Sequence, residues 1–270
     1  MPPEIYRIGR GSIMSPQQSF EAEWRERFER FAARGGTEAR ISGWSEHGLK
    51  RRMQRVFQVL ATHELAGRRI LDLGCGTGVY SQALLAREAR PLGADYALGM
   101  LRRAQQVLGP EVAVPLVAAD LLNLPFRSRS FSGLINVGVL QHIAHLDRAL
   151  GEMARVLDGD GFALIVTLNR HSFHAAASWL VAWPRAWRRG RWRPKRHALR
   201  RSAARISRAA TRVGFARPRF RGVYLYPKPL RWLETLLDRL DVLRWRGRPL
   251  LLPFANAFLV ELPKSPTAEA

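Results

Sequence analysis

The stretch Ile70-Leu-Asp-Leu-Gly-Cys-Gly-Thr-Gly-Val-Tyr80 is where this chain declares its fold. An apolar, β-prone run carries Asp72 near its end. Three glycines follow at alternate positions, Gly74, Gly76 and Gly78, and a helical pattern begins at about Tyr80. Glycines at this spacing let the backbone turn through φ > 0 and leave no Cβ where a ligand lies against the main chain. A strand, a Gly-rich turn and a helix N-terminus together form a generic nucleotide pocket. The spacing is neither the dinucleotide G-x-G-x-x-G nor a phosphate loop ending in Gly-Lys-Ser/Thr. An Asp before the first glycine repels phosphate and attracts a positively charged ligand group.

Downstream segments repeat the strand–helix alternation. Ser81 to Glu88 reads as a helix, and Arg90-Pro-Leu-Gly-Ala-Asp95 as a second strand ending in an acid, where one carboxylate can grip a ribose diol. Ala113 to Ala119 reads as a third strand leading to Asp120. Ser130 to Ile143 holds a fourth, and Phe162 to Leu168 a fifth.

Taken in order, these segments resemble the motifs of the class I S-adenosylmethionine (SAM) methyltransferases. Asp72 to Gly78 is similar to their D-x-G-x-G-x-G. Gly93-Ala-Asp-Tyr-Ala-Leu-Gly-Met-Leu101 is similar to their second motif, and Ala119-Asp-Leu-Leu-Asn-Leu-Pro-Phe126 to "A-D-A-x-x-L-P-F". Ala149 to Phe162 resembles "E-x-x-R-V-L-K-P-G-G" and the turn into the fifth strand. The resemblance covers about residues 68–168. It implies an α/β fold: a Rossmann-like, seven-stranded, mostly parallel sheet with helices on both faces and an antiparallel last strand. It also implies SAM as cofactor, with Asp72 facing the ammonium end, Asp95 the ribose hydroxyls and Asp120 the adenine amine. Gly74, Cys75, Gly76, Gly78, Tyr96, Met100, Leu121 and Asn136 complete the implied cofactor pocket. Two departures stand out. Phe131-Ser132-Gly133 replaces the usual Phe-Asp, and Asp158-Gly-Asp-Gly161 replaces Lys-Pro-Gly-Gly, keeping turn chemistry while losing proline. Neither removes an implied cofactor contact.

At 270 residues the chain fits one large α/β domain with extensions. Four segments are expected: an N-terminal tail and helical flap over 1–64, the cofactor-binding core over 65–168, a basic, Trp-rich substrate cap including strand six over 169–253, and the last strand with a mobile tail over 254–270. A single cysteine, Cys75, excludes intramolecular disulfides and suits a reducing compartment. Met-Pro-Pro-Glu-Ile-Tyr-Arg has no apolar signal region, and no run reaches the roughly 18 apolar residues of a membrane span. A cytoplasmic location is therefore expected.

Net charge is +22 and unevenly placed: there is no Asp or Glu between Asp160 and Glu234. The basic residues are densest from Arg185 to Arg196. Arg outnumbers Lys by 40 to 4, a bias that a GC-rich genome accounts for, but such a bias does not remove acids. A one-signed run of this length implies a polyanionic surface: anionic lipid, nucleic acid or a phosphorylated substrate.

Ahead of the core, Phe20 to Ala33 reads as an amphipathic helix and Gly48 to His63 as a second, with Leu49, Met53, Val56, Phe57 and Leu60 on its buried face. Ala39 to Glu46 lies between them as a candidate flap. Beyond strand five, His171 to Trp183 is apolar and Trp-rich, Leu199 to Val213 reads as a basic helix, and Ala216 to Tyr226 as strand six. An insert follows with Leu230, Leu233, Leu237 and Leu240 on one helical face, and Phe254 to Leu262 reads as the last strand.

Methyl transfer from a sulfonium is an in-line displacement that alignment alone largely drives, so a base is needed only for an acceptor that must lose a proton. His142, just beyond strand four, is the candidate, either as that base or as a residue that packs and positions the acceptor. His145, His171 and His174 are weaker candidates. No metal-ligand spacing is visible. The Asn/Asp-Pro-Pro-Tyr/Phe signature of amine methylation on nucleic acid is absent, and Cys75 sits in the glycine loop rather than where a pyrimidine adduct would form. Two acceptor classes remain. One is a small or lipid-like molecule met at an anionic membrane surface, with the enzyme peripheral to the inner membrane face. The other is RNA, held through the Arg-rich C-terminal region.

Overall fold

A computed structural model describes residues 16–34, 36, 39, 45–110, 114–172, 198–226, 231–245 and 248–265. Most of the flap, the Trp-rich stretch, the dense Arg cluster and the end of the tail lie outside the described residues.

Two helices precede the sheet, α1 (Pro16–Arg34) and α2 (Glu46–Leu60); Ser45 caps the second by accepting from the Gly48 N–H. The core then alternates β1 (Arg69–Leu73), α3 (Val79–Leu85), β2 (Arg90–Asp95), α4 (Leu98–Leu108), β3 (Leu116–Ala118), β4 (Phe131–Val137), α5 (Leu146–Val156) and β5 (Leu157–Leu168). After it come α6 (Ala203–Arg212), β6 (Arg219–Val223), α7 (Arg231–Leu240), a short hairpin of β7 (Arg244–Trp245) and β8 (Arg248–Pro249), and β9 (Ala257–Pro263). Seven strands form one sheet in the order β3-β2-β1-β4-β5-β9-β6. β1 to β5 pair in parallel, and β9 runs antiparallel between β5 and β6. This is the Rossmann-like sheet with an antiparallel last strand that the sequence implies.

The central strands are apolar on both faces because both faces are covered. Alternate residues of β5 divide between two layers: Ala163 and Ile165 pack with Leu150, Met153 and Ile206 of α5 and α6, while Leu164 and Val166 pack with Val56, Val59 and Leu84 of α2 and α3. Along β9, Phe258 and Val260 join the first layer and Ala257 and Leu259 the second.

Three boundaries differ from expectation for physical reasons. Asp158 to Gly161 is part of β5: Phe131 pairs with Leu157 and Gly133 with Phe162, so the intervening residues bulge out of a continuing strand. Without the proline of the related motif, nothing forbids the pairing from resuming on both sides. β3 starts at Leu116 because Pro115 has no N–H to give to a ladder. α6 starts at Ala203, where Ser202 caps the Arg205 N–H; the expected first turn is instead drawn away, the Leu199 N–H donating to the Gln141 carbonyl at 2.7 Å.

The insert helix α7 does not dock through an unbroken leucine face. Leu237 is buried and Leu233 partly so, but Leu240 is exposed. Its anchors are acids. Glu234 meets His47 at 2.8 Å, Asp238 meets Arg51 at 2.6 Å, and Asp241 meets Arg55 at 2.7 Å, all three basic residues lying on α2. The first acids after the long acid-free run are thus the ones that fasten α7 to the N-terminal part of the chain.

Candidate functional site

The turn after β1 is the floor of the site. Gly74, Gly76 and Gly78 have φ of 78°, 55° and 82°. The N–H groups of Gly74 and Cys75 both donate to the Ala94 carbonyl, at 2.6 and 3.0 Å, which ties the loop to β2. The three glycines do different things. A Cβ on Gly74 would lie 2.1 Å from Val139 Cγ2, and one on Gly78 would crowd Leu108. A Cβ on Gly76 would meet no protein atom within 4 Å, and Gly76 lines a cavity. So Gly74 and Gly78 permit close packing of the chain on itself, while Gly76 keeps space for something else.

Asp95 ends β2 beneath this loop. Its Oδ2 accepts from the Gly76 N–H and its Oδ1 from the Ala97 N–H, each at 3.0 Å. Burial pushes its carboxyl up to about 6 against those two bonds. The Tyr96 N–H also donates to it, and with about four lone-pair sites the carboxylate can still accept from a further donor. Asp72 is also buried and accepts from the Ser81 hydroxyl at 2.7 Å; burial raises it to about 7. It does not line the cavities around Gly74, so any influence on a ligand there passes through the loop as charge. Asp120 is exposed at the far end, where its Oδ1 accepts from the Leu122 N–H at 2.9 Å, next to buried Leu121. Asn136 is wholly buried; its amide donates to the Leu73 carbonyl at 2.8 Å and it fastens β4 to β1 without reaching the cavities.

Two adjoining cavities, of about 110 and 270 Å³, share Phe28, Gly74, Asp95, Tyr96, Val139 and His142 in their walls. The first extends past Cys75, Gly76 and Met100 towards Arg52 and Tyr80; the second extends past Asp120 and Leu121 towards Ala22, Arg25 and Ile143. The Cys75 thiol is buried and its pKa is driven upward by burial, so it is a small wall residue rather than a nucleophile. Among the described residues, no group of three or more His, Cys, Asp or Glu side chains comes together as a metal site.

His142 lies where the two cavities meet. Its ring is 3.8 Å from that of Trp24 and 5.3 Å from that of Phe28, both on α1. Burial, helped by the positive charge of Arg27, depresses its pKa to about 3, so the imidazole is neutral throughout the working range of a protein. Its Nδ1 is buried without a hydrogen-bond partner, as is the hydroxyl of Tyr80 at the other end. Two orphaned polar atoms, an open space above Gly76 and buried carboxylate oxygens with spare lone pairs fit a ligand that carries both hydroxyls and positive charge.

Sequence reasoning missed three contributors. Trp24 and Phe28 read as packing residues on an amphipathic helix, yet they form the roof over His142; their i, i+4 spacing was the available signal. Arg52 lies within the apolar face of α2, an odd place for a guanidinium. It is 3% exposed, donates to the Gly48 carbonyl at 2.9 Å and lines the cofactor-side cavity, with its pKa lowered to about 9 by burial.

Residues 71–165 match the family described as "Methyltransferase domain". The malonyl-[acyl-carrier protein] O-methyltransferase of Geobacter sulfurreducens is 32% identical over 180 residues, covering 66% of this chain and 64% of that one. The demethylmenaquinone methyltransferase of Thermobifida fusca is 34% identical over 118 residues, 43% of this chain and 50% of its own. The chain therefore spans about half to two thirds of these two curated relatives. In fold it is similar to magnesium protoporphyrin IX methyltransferase from Synechocystis, solved with bound SAH, at a TM-score of 0.56 and 18% identity over 92% of this chain and 97% of that one. Residues 71–165 are thus a methyltransferase domain, set in the fold of the class I S-adenosylmethionine-dependent methyltransferases.

Proposed function

We propose that this protein moves a methyl group from SAM to a small or lipid-like acceptor that it meets at a membrane surface. The observation that carries the proposal is the pair of adjoining cavities meeting at His142, where Ala22, Phe28, Val139 and Ile143 give apolar wall beside the polar groups Asp95 and Asp120. Apolar wall next to His142 suits a small or lipid-like acceptor. The acceptors named for the two relatives above, an acyl-carrier-bound malonyl group and demethylmenaquinone, belong to that class and support the proposal.

Bound in this cavity, SAM supplies an electrophilic methyl carried on a sulfonium. Asp95 is the residue to accept the ribose hydroxyls, and Asp120, the one exposed acid at the far wall, to accept from the adenine amine. Arg52 is placed for a carboxylate, and Asp72 and Asp95 give the floor the negative potential that a cationic ligand needs. Tyr96 and Met100 supply apolar wall. His142, neutral and held by Trp24, has a buried nitrogen free to hydrogen-bond and orient the acceptor. The roof of α1 excludes water from the meeting point of the two cavities.

The test is transfer of labelled methyl from SAM into cell extracts, followed by separation of lipid, small-molecule and RNA fractions. Label in the organic or small-molecule fraction is the expected result. Label confined to RNA would overturn it.

A further inference from the structure

Helix α7 has two unlike sides. Its acids all turn inward: Glu234 and Asp241 are buried against α2 and β6, and Asp238 is held by Arg51. The outer side carries Trp232, Leu236 and Leu240 at successive i, i+4 steps, 64%, 42% and 36% exposed. The chain continues the surface beyond the helix with Val242 and Leu243, 74% and 47% exposed, and Leu250, 50% exposed. The Leu250 N–H donates to the Leu243 carbonyl at 2.8 Å, so these two lie side by side at the base of the small hairpin. Exposed Arg239 stands in line with Trp232 on this side, exposed Arg231 precedes Trp232 at the start of the helix, and no acid of α7 shares the outer side.

Six large apolar residues in succession on one surface are more than scattered exposure, and they mark an interaction site. We infer that this outer face of α7 with the following hairpin is a docking surface for an anionic lipid bilayer, entered at headgroup depth by Trp232 and the aliphatic side chains. Three observations favour lipid over other occupants. Trp beside Arg, over aliphatic residues, is the pattern that sits well at a headgroup boundary. A second copy of the chain would oppose the same arginines across a two-fold axis, on a molecule of net charge +22. Leu and Val offer nothing to phosphates or base edges, which argues against nucleic acid. No helix of the described residues is long and apolar enough to cross a membrane.

The position of this face ties it to the site. Arg51 and Arg55, which hold α7, lie on the same helix as Leu49 and Arg52, which line the cofactor-side cavity. Helix α2 thus connects the docked helix to the wall of that cavity.

This inference rests on the membrane-surface part of the function proposed above, and the experiment separates the two. The full chain and a Trp232→Ser/Leu236→Ser/Val242→Ser variant are sedimented with phosphatidylcholine vesicles with and without phosphatidylglycerol, and SAM affinity and thermal unfolding are followed in parallel. The unaltered protein should bind the anionic vesicles only, and the variant at least about tenfold more weakly, with both remaining folded and binding SAM equally. An Arg231→Gln/Arg239→Gln variant should weaken binding to the anionic vesicles further at low salt than at high salt. If the full chain binds and the triple variant binds equally, docking lies elsewhere and this inference fails while membrane association stands. Should the full chain ignore anionic vesicles at low salt, both fail. A dimer in light scattering that the triple variant breaks would make this face a self-interface and overturn the lipid assignment.

Discussion

Arg55 and Asp241, 186 residues apart in sequence, are joined by a 2.7 Å ion pair in the interior, their side chains 8% and 6% exposed. Asp241 also accepts from the Tyr224 hydroxyl at 2.7 Å and from the Gly222 N–H, and Arg55 donates to the Gly222 carbonyl at 3.0 Å. One carboxylate thus closes a network among α2, β6 and the end of α7. Truncation leaves a buried guanidinium with only the more distant Asp238, at 3.6 Å, as counter-charge, and orphans the Tyr224 hydroxyl, which costs about 3 kcal/mol. Asp241→Ala should lower the unfolding midpoint by roughly 10 °C. A drop of less than about 2 °C would mean that the three elements are held by apolar contact alone.

Gly76 is the sharpest test of the cofactor pocket. Its φ of 55° strains any side chain, a β-branched one most, but a Cβ there meets no protein atom within 4 Å and Gly76 lines the cavity. Gly76→Val should therefore abolish SAM binding in calorimetry while the protein still unfolds cooperatively. Unchanged affinity in a folded variant would remove Gly76, and with it the glycine floor, from the ligand site.

Arg52 leads to a more selective prediction. A buried guanidinium in a ligand cavity is an anchor for a carboxylate, and such a charge-assisted bond contributes about 1.5–3 kcal/mol. Arg52→Gln should weaken S-adenosylhomocysteine binding by about tenfold or more and leave adenosine, which has no carboxylate, unaffected. Equal losses for both ligands would show that the variant has disturbed the cavity rather than an anchor.

Cofactor affinity should also depend on pH with a definite sign. Burial raises Asp95 to about 6 and Asp72 to about 7. A carboxyl with a raised folded-state pKa stabilises the free protein most when protonated, and that contribution disappears as pH climbs through 6 and 7. SAM, cationic and rich in donors, favours the ionised forms. Its affinity should rise between pH 5 and pH 8, while the free protein loses some thermal stability over the same interval. Titrations showing affinity independent of pH across that range would mean that neither carboxyl is close to the bound charge.

Much of this was legible in sequence, and what was not has physical reasons. Asp72 to Gly78 and Arg90 to Asp95 fall where the residues placed them, since a buried parallel strand and a positive-φ turn are local properties. The differing roles of Gly74, Gly76 and Gly78 were not legible, because they depend on Val139 and Leu108, which come from other elements. The anchoring of α7 was not legible for the same reason. Its leucines repeat at helical spacing and invite an apolar face, whereas Glu234, Asp238 and Asp241 share a face just as regularly and find their partners on a helix near the N-terminus. Local periodicity shows that a face exists; only tertiary structure shows which face is inside.

His142 gives the final prediction. A general base near pH 7 needs a pKa in that region, and burial under Trp24 and Phe28 with Arg27 nearby holds this imidazole at about 3. Its protonated form is too costly to build here unless the bound acceptor brings a negative charge. His142 is therefore assigned to orienting the acceptor through a hydrogen bond. His142→Ala should raise the acceptor KM and leave SAM affinity unchanged, His142→Gln should restore most of the loss, and kcat should show no inflection near pH 6.5. A fall of a hundredfold or more in kcat for His142→Gln, with a titration in the unaltered enzyme that the variant lacks, would make His142 the base after all. A change below about threefold in every parameter of His142→Ala would reduce it to a packing residue beneath α1.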